Sequence, residues 1–293
     1  MLFPTIKTEE NYPLKKHTSF KVGGDADIAI FPNSREEIIT ALKTLKENNI
    51  PVTLMGRGSN MVVSDKGIEG AVLVLADNFA EMKQISPEII EASAGVKLSN
   101  LCMFAMKRGL GGLEFAYGIP GTVGGAVFMN AGAYDGETAK VIESVEYLTK
   151  DGEILRISAE ECDFSYRHSV FMENGGTVLS ARFKLEFKSS DEVKEKMDDF
   201  LSRRKEKQPL EYPSAGSVFK RPEGYFAGAL IEKSGLKGYS VGGAQVSVKH
   251  AGFIINKGGA TAEDIKNLVK EIQNKVKADS GVDLKCEIRF IGR

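Results

Sequence analysis

Residues 118–137 read GIPGTVGGAVFMNAGAYDGE, and six of these twenty positions are glycine, against 31 glycines in the 293-residue chain. Glycine reaches positive φ and lets a backbone come within hydrogen-bonding distance of a ligand. Runs of backbone N–H groups in such turns form concave anion sites. Charged side chains are confined to Asp135 and Glu137 at the far end. A diphosphate held by amide hydrogens fits this composition, and so does a tight packing loop. No Gly-Lys-Ser/Thr follows, which excludes a P-loop, and neither this stretch nor Gly56-Arg57-Gly58 completes the G-x-G-x-x-G dinucleotide pattern.

Upstream, a short apolar run at 52–55 leads into Gly56-Arg57-Gly58-Ser59-Asn60, a second strand-to-glycine turn. Ser34 and Glu37 make a capping box for a helix reaching Asn49, with Ile38, Leu42 and Leu45 on one face. Residues 18–31 read as two short strands about Gly23-Gly24-Asp25, further strands fall at 61–63, 71–75 and 89–94, and a helix runs from Leu98 to Arg108. Downstream, 142–148 and 153–157 flank a Lys150-Asp151-Gly152 turn, and Leu179, Ala181, Phe183, Leu185 and Phe187 alternate onto one strand face. Residues 190–208 form a charged helix whose Arg203-Arg204-Lys205 run reads as a solvated face. Two prolines, Pro209 and Pro213, end it, and a domain boundary is expected near 190. In the last part come helices near 226–233 and from the Thr261/Asp264 cap onward, then a strand over 283–291. That strand is expected to turn Leu284, Cys286, Ile288 and Phe290 inward and Lys285, Glu287 and Arg289 outward.

Length and a 42% apolar composition suit two globular domains, and a net charge of −1 gives no reason to expect nucleic acid or an anionic membrane as partner. The N-terminus has no apolar targeting core and no run reaches membrane-spanning length. Cys102, Cys162 and Cys286 are dispersed, as reduced thiols of a cytoplasmic protein would be, and His17, His168 and His250 suggest no metal site.

Seven motifs carry a resemblance: HTSFKVGG at 17–24, GRGSN at 56–60, GIPGTVGGA at 118–126 with NAGAY at 130–134, SYRHS at 165–169, GSVFK at 216–220, GGAQ at 242–245 and EIRFIG at 287–292. In this order they resemble the UDP-N-acetylenolpyruvoylglucosamine reductase (UDP-N-acetylmuramate dehydrogenase) family over nearly the whole chain. The resemblance implies an α+β protein: an FAD-binding domain of the p-cresol methylhydroxylase/vanillyl-alcohol-oxidase type over 1–189, in two lobes of about 1–75 and 76–189, and a smaller α+β substrate domain over 190–293 that closes over the flavin. Non-covalent FAD is expected with its diphosphate between Gly56, Arg57, Gly58, Ser59 and Asn60 on one side and Gly118, Ile119, Pro120, Gly121, Thr122, Gly124 and Gly125 on the other, followed by Asn130, Ala131 and Gly132.

The implied reaction reduces the enolpyruvyl group of UDP-N-acetylglucosamine enolpyruvate to UDP-N-acetylmuramate, a step of peptidoglycan precursor synthesis, with NADPH as co-substrate. Arg167 would grip the substrate carboxylate, Glu287 would donate a hydrogen bond as charge develops, and Ser217 would protonate the carbon. Read without the resemblance, Glu287 is a surface salt-bridging residue and Ser217 a turn serine. Tyr166, Lys220 and Gln245 are candidate substrate contacts, Tyr166 packing or hydrogen-bonding near the nicotinamide or the substrate carboxylate; the bland readings of the other two are a surface lysine and a capping glutamine. With no dinucleotide fold of its own for NADPH, the chain is expected to admit NADPH and the UDP-sugar to one cleft in turn, as a monomer. Two departures matter. Asp135 stands where the family pattern has glycine, and since aspartate tolerates left-handed φ the turn should survive. The span from Arg167 to Ser217 lacks an inserted loop whose tyrosine helps hold the substrate diphosphate, so the chain resembles the shorter, type II-like branch. Rival readings are an FAD-dependent oxidase of the same flavin fold and a non-catalytic flavin- or UDP-sugar-binding sensor.

Overall fold

The computed structural model describes residues 2–293. In chain order the elements are β1 (Lys7–Pro13), β2 (Asp25–Phe31), α1 (Arg35–Glu47), β3 (Val52–Met55), β4 (Met61–Val63), β5 (Ile68–Val74), β6 (Met82–Ser86), β7 (Ile89–Ser93), α2 (Leu98–Met106) and β8 (Leu110–Gly111). The glycine stretch gives α3 (Val123–Met129), β9 (Gly132–Ala133) and β10 (Gly136–Glu137), followed by β11 (Ile142–Leu148), β12 (Ile154–Ser158), α4 (Phe171–Asn174), β13 (Thr177–Lys184) and β14 (Glu186–Phe187). The chain closes with α5 (Ser190–Lys207), α6 (Ala227–Lys233), β15 (Ser240–Val241), β16 (Ala244–Val246), β17 (Ile254–Asn256), α7 (Ala262–Ser280) and β18 (Arg289–Ile291). The mixed α+β class matches the expectation.

Two compact units divide the chain, and neither is contiguous. The first takes the N-terminal residues through Glu9, Ala29–Arg57 and Ala71–Arg204. Its largest sheet runs β12-β11-β13-β7-β6, antiparallel throughout. Leu179, Ala181 and Phe183 of β13 are buried as the alternation requires, and α3 lies against β13 and β7. On the other face Glu91 is buried among cations: Arg182 Nε at 2.9 Å, Lys83 Nζ at 3.0 Å and Arg156 at 3.1 Å. β3 and β5 pair in parallel within a smaller sheet ordered β1-β2-β5-β3.

The second unit takes Glu10–Ile28, Gly58–Gly70 and Lys205–Arg293. Its core joins Phe20, Val22 and Val62 to α6 and to the α7 stripe Ile265, Leu268, Val269, Ile272 and Val276. A reciprocal capping box opens α7, Thr261 Oγ1 accepting from Asp264 N–H and the Asp264 carboxylate from Thr261 N–H. β4 and β18 pair in parallel, Met61 opposite Arg289.

Several local expectations change. Residues 18–24 are not a strand, because Lys21 and Gly23 take positive φ, and β2 starts only at Asp25. β1 and β6 lack clean alternation and were not legible. Phe187 is exposed, since the strand breaks at Leu185 and β14 pairs with β8 instead. Glu37 closes its cap one residue earlier than a capping box would, accepting from Asn33 N–H at 2.6 Å while Ser34 Oγ accepts from Glu37 N–H. The compact units also do not divide at 190: α5 belongs to the first through Arg204, and residues 10–28 and 58–70 supply core side chains to the second.

Candidate functional site

In the first unit the glycine stretch and the Ser165–Ser169 motif form one construction. Thr122 caps α3, its Oγ1 accepting from Gly125 N–H at 3.4 Å. The helix ends at Asn130, buried with φ 41°, whose side-chain amide donates to Ser165 O at 2.9 Å and whose Oδ1 accepts from Ala139 N–H at 2.9 Å. Ser169 Oγ donates to Phe128 O at 2.7 Å. Arg167, itself at φ 55°, donates to Asn130 O at 3.3 Å and Gly132 O at 2.9 Å, and its guanidinium lies 5.0 Å from the ring centre of the exposed Tyr166. A non-glycine residue in left-handed backbone costs free energy unless its surroundings fix it, and such residues gather at working sites. Both of the hydrogen bonds this arginine donates here go to main-chain carbonyls of the glycine motif.

The glycines separate by cause. A Cβ on Gly124 would sit 2.9 Å from Ala94 Cβ, so the helix–sheet contact requires glycine there. A Cβ on Gly56 would sit 2.6 Å from Thr122 Oγ1, which brings the first glycine turn against the second. Gly118 is covered by the Arg204 side chain, so Arg204 is half-buried and not part of a solvated run. Gly125 differs: it is exposed, has ordinary helical backbone, and a Cβ there would meet nothing nearer than Thr122 Oγ1 at 3.6 Å. No internal contact accounts for glycine at 125, whereas the close approach of a ligand would.

The N–H groups of Val123 and Gly124 donate to Val96 O (2.9 Å) and Ala94 O (2.8 Å), and that of Ile119 to Ala116 O. The helix start is thus consumed internally, and the cradle narrows to the N–H groups of Gly121 and Thr122, which enter none of these bonds. Beside them, Arg57 and Lys97 both reach Asp77, at 3.4 and 3.2 Å. The residues present therefore fit a diphosphate.

Gly58, Ser59 and Asn60 belong to the second unit, with Gly58 at φ 58° accepting from Ser19 N–H at 3.2 Å. There Asn60, Ser217 and Glu287 come together through main-chain bonds and the Asn60 side-chain amide. Asn60 Nδ2 donates to Glu287 O at 3.1 Å, and Arg289 N–H donates to Asn60 O at 3.0 Å. The 217–220 segment bridges Phe253 at Ser217 and Cys286 at Phe219, and Lys220 N–H donates to Lys285 O at 2.8 Å. Two successive N–H groups, of Glu287 (2.8 Å) and Ile288 (3.5 Å), converge on Val218 O. That is a β-bulge, which re-aims side chains and breaks simple alternation. It corrects the expected inward set: Leu284 and Ile288 are buried, but Cys286 is only half-buried and Phe290, beyond the bulge, is exposed. Gln245 spends its amide on the local hairpin, donating to Gly238 O at 3.1 Å and Ser240 Oγ at 2.9 Å.

Comparison with known proteins places this arrangement. Residues 26–158 match the FAD binding domain family, and residues 208–291 match the UDP-N-acetylenolpyruvoylglucosamine reductase C-terminal domain family. The protein is in class an FAD-dependent oxidoreductase with NADPH as co-substrate. A UDP-N-acetylenolpyruvoylglucosamine reductase of Clostridium botulinum (strain 657 / Type Ba4) is 52% identical over 282 residues, covering 96% of this chain and 91% of that one. The namesake from Clostridium novyi (strain NT) is 51% identical over 286 residues, covering 97% and 92%. The crystal structure of the Thermus caldophilus reductase superposes with a TM-score of 0.82 at 36% identity, covering 97% of this chain and 98% of that one. The chain belongs to the UDP-N-acetylenolpyruvoylglucosamine reductase family, which sets aside the oxidase and sensor readings.

Proposed function

We propose that this chain reduces UDP-N-acetylglucosamine enolpyruvate to UDP-N-acetylmuramate through the residues assigned above. FAD, when bound, supplies hydride transfer from NADPH to the enolpyruvyl double bond. Gly121 and Thr122 hold its diphosphate through N–H groups, and Gly125 leaves room for its approach. Hydride arrival drives negative charge into the substrate carboxylate, where a fixed guanidinium is most stabilising. Arg167 takes that role; its ties to Asn130 O and Gly132 O fix the fork. Glu287 donates a hydrogen bond to the same developing charge, and Ser217 gives its proton to the carbon bearing the carboxylate. Tyr166 and Lys220 contact substrate, and NADPH and the UDP-sugar enter one cleft in turn. The enzyme works as a monomer in the cytoplasm; the compartment is supported by three unpaired cysteines, of which Cys162 is held protonated by burial that pushes its thiol up to about 12. Among the described residues no helix is long and apolar enough to cross a membrane.

The observation that carries the cofactor placement is the exposed, unexplained glycine at 125. Gly125→Val tests it. The open space means the fold should hold, with only a modest helix-propensity effect. The expected product is a folded but colourless protein by circular dichroism and visible absorption. Stoichiometric FAD in that variant would move the diphosphate elsewhere.

A further inference from the structure

We infer that Lys97 is a binding residue for the FAD diphosphate, acting beside Arg57; this rests on the cofactor placement just proposed. Lys97 precedes α2 and pairs across an antiparallel bridge with Thr122. The pairing is firm: Leu98 N–H donates to Gly121 O at 3.1 Å, and Val123 N–H to Val96 O at 2.9 Å. It sets Lys97 directly beside the two N–H groups left for an anion. Arg57 reaches the same place from the other turn, because Gly56 abuts Thr122.

Both cations share one carboxylate, Asp77, with Lys97 Nζ at 3.2 Å from Oδ1 and Arg57 Nη1 at 3.4 Å from Oδ2. One negative charge cannot neutralise two positive ones, so a net positive charge remains at the cradle. Neither contact is at the 2.7–2.9 Å typical of a strong charge-assisted bond. The Lys97 side chain keeps 35% of its surface open to solvent and Arg57 keeps 41%, so both remain reachable by a bound anion. A diester diphosphate carries two negative charges, enough to take up this surplus of one and to compete with Asp77 for both cations. Such a contact is worth about 1.5 kcal/mol, or roughly tenfold in affinity.

The experiment titrates FAD into the deflavinated full chain, wild type and variants, from low to high ionic strength. Lys97→Gln should bind FAD about tenfold more weakly and show a flatter dependence on salt, since one screened ion pair is gone. Lys97→Arg should restore both. Far-UV circular dichroism of all three should coincide, because the bridge to Thr122 is made by backbone. Unchanged affinity and salt dependence in Lys97→Gln would overturn the assignment. So would a weakening with the wild-type salt dependence, which would make Lys97 only a support for α2. If the wild-type chain takes up no FAD, the cofactor placement itself fails; if it does and Lys97→Gln matches it, only this inference falls.

Discussion

Arg167 shows how a single side chain is fixed in place by its surroundings. Its left-handed backbone is held because the guanidinium donates to two carbonyls of the glycine motif. Lysine carries the charge but not the planar fork. Arg167→Lys should therefore lower sugar-dependent turnover by about 10²-fold, as loss of one oxyanion-type donor does. Rates with NADPH alone should change far less, and stopped-flow of the two half-reactions measures both. Ser217 is exposed next to the bulged Glu287 strand, and its assigned proton is needed only after hydride leaves the flavin. Ser217→Ala should bleach the flavin with NADPH at near the wild-type rate, yet reoxidise with the enolpyruvyl sugar slower by several orders of magnitude. Equal slowing of both half-reactions would make the serine an organiser of the proposed common cleft.

At the scale of elements, the turn between β9 and β10 places Tyr134 (φ 51°) and Asp135 (φ 62°) both in left-handed backbone. Two such residues define the hairpin turn whose twist suits antiparallel strands. The turn holds with aspartate at 135, as expected, and Tyr134 is further held by stacking on Phe200, ring centres 4.5 Å apart. Asp135→Gly should be close to neutral, whereas Asp135→Val should cost about 1–2 kcal/mol in chemical denaturation. The five-stranded sheet carries a second device in Glu91. Burial raises the Glu91 pKa, but hydrogen bonds from Arg182 and Lys83 and the charge of Arg156 outweigh it, leaving the carboxyl below its ordinary value. A depressed carboxyl stabilises the fold above its unfolded pKa of about 4.3 and loses that contribution as pH falls through the folded value. Glu91→Gln should cost about 2 kcal/mol at neutral pH, the partners being partly exposed, and the gap from wild type should close below pH ~4.

For the whole molecule, the non-contiguous units have a direct consequence. The core built on α6 and α7 includes Phe20, Val22 and Val62, none of which lies in the C-terminal third. A fragment of residues 190–293 therefore lacks part of its own core. Expressed alone it should show no cooperative thermal transition and weak near-UV circular dichroism, as cores missing large buried side chains do. Sharp cooperative unfolding of that fragment would show the N-terminal segments to be dispensable.

What the sequence by itself determined was whatever depends on local patterning or on short motifs. The 142–157 hairpin, the α7 stripe and its cap, and the β13 face up to Phe183 follow from periods of 2 and 3.6 and from turn chemistry. The seven short motifs, read together, carried the family and with it FAD as the cofactor. Tertiary structure alone decided what each glycine is for, since Gly124 and Gly125 are neighbours of identical type, one closed by Ala94 and the other open. It alone revealed Arg204 on Gly118, Lys97 beside Thr122 and the bulge that exposes Phe290. These depend on contacts between residues remote in sequence, and on one extra residue in a strand, neither of which leaves a periodic signal. The same reason hid the division of the chain: a core shared by residues 20, 62 and 268 is a property of packing, and no stretch of local sequence encodes it.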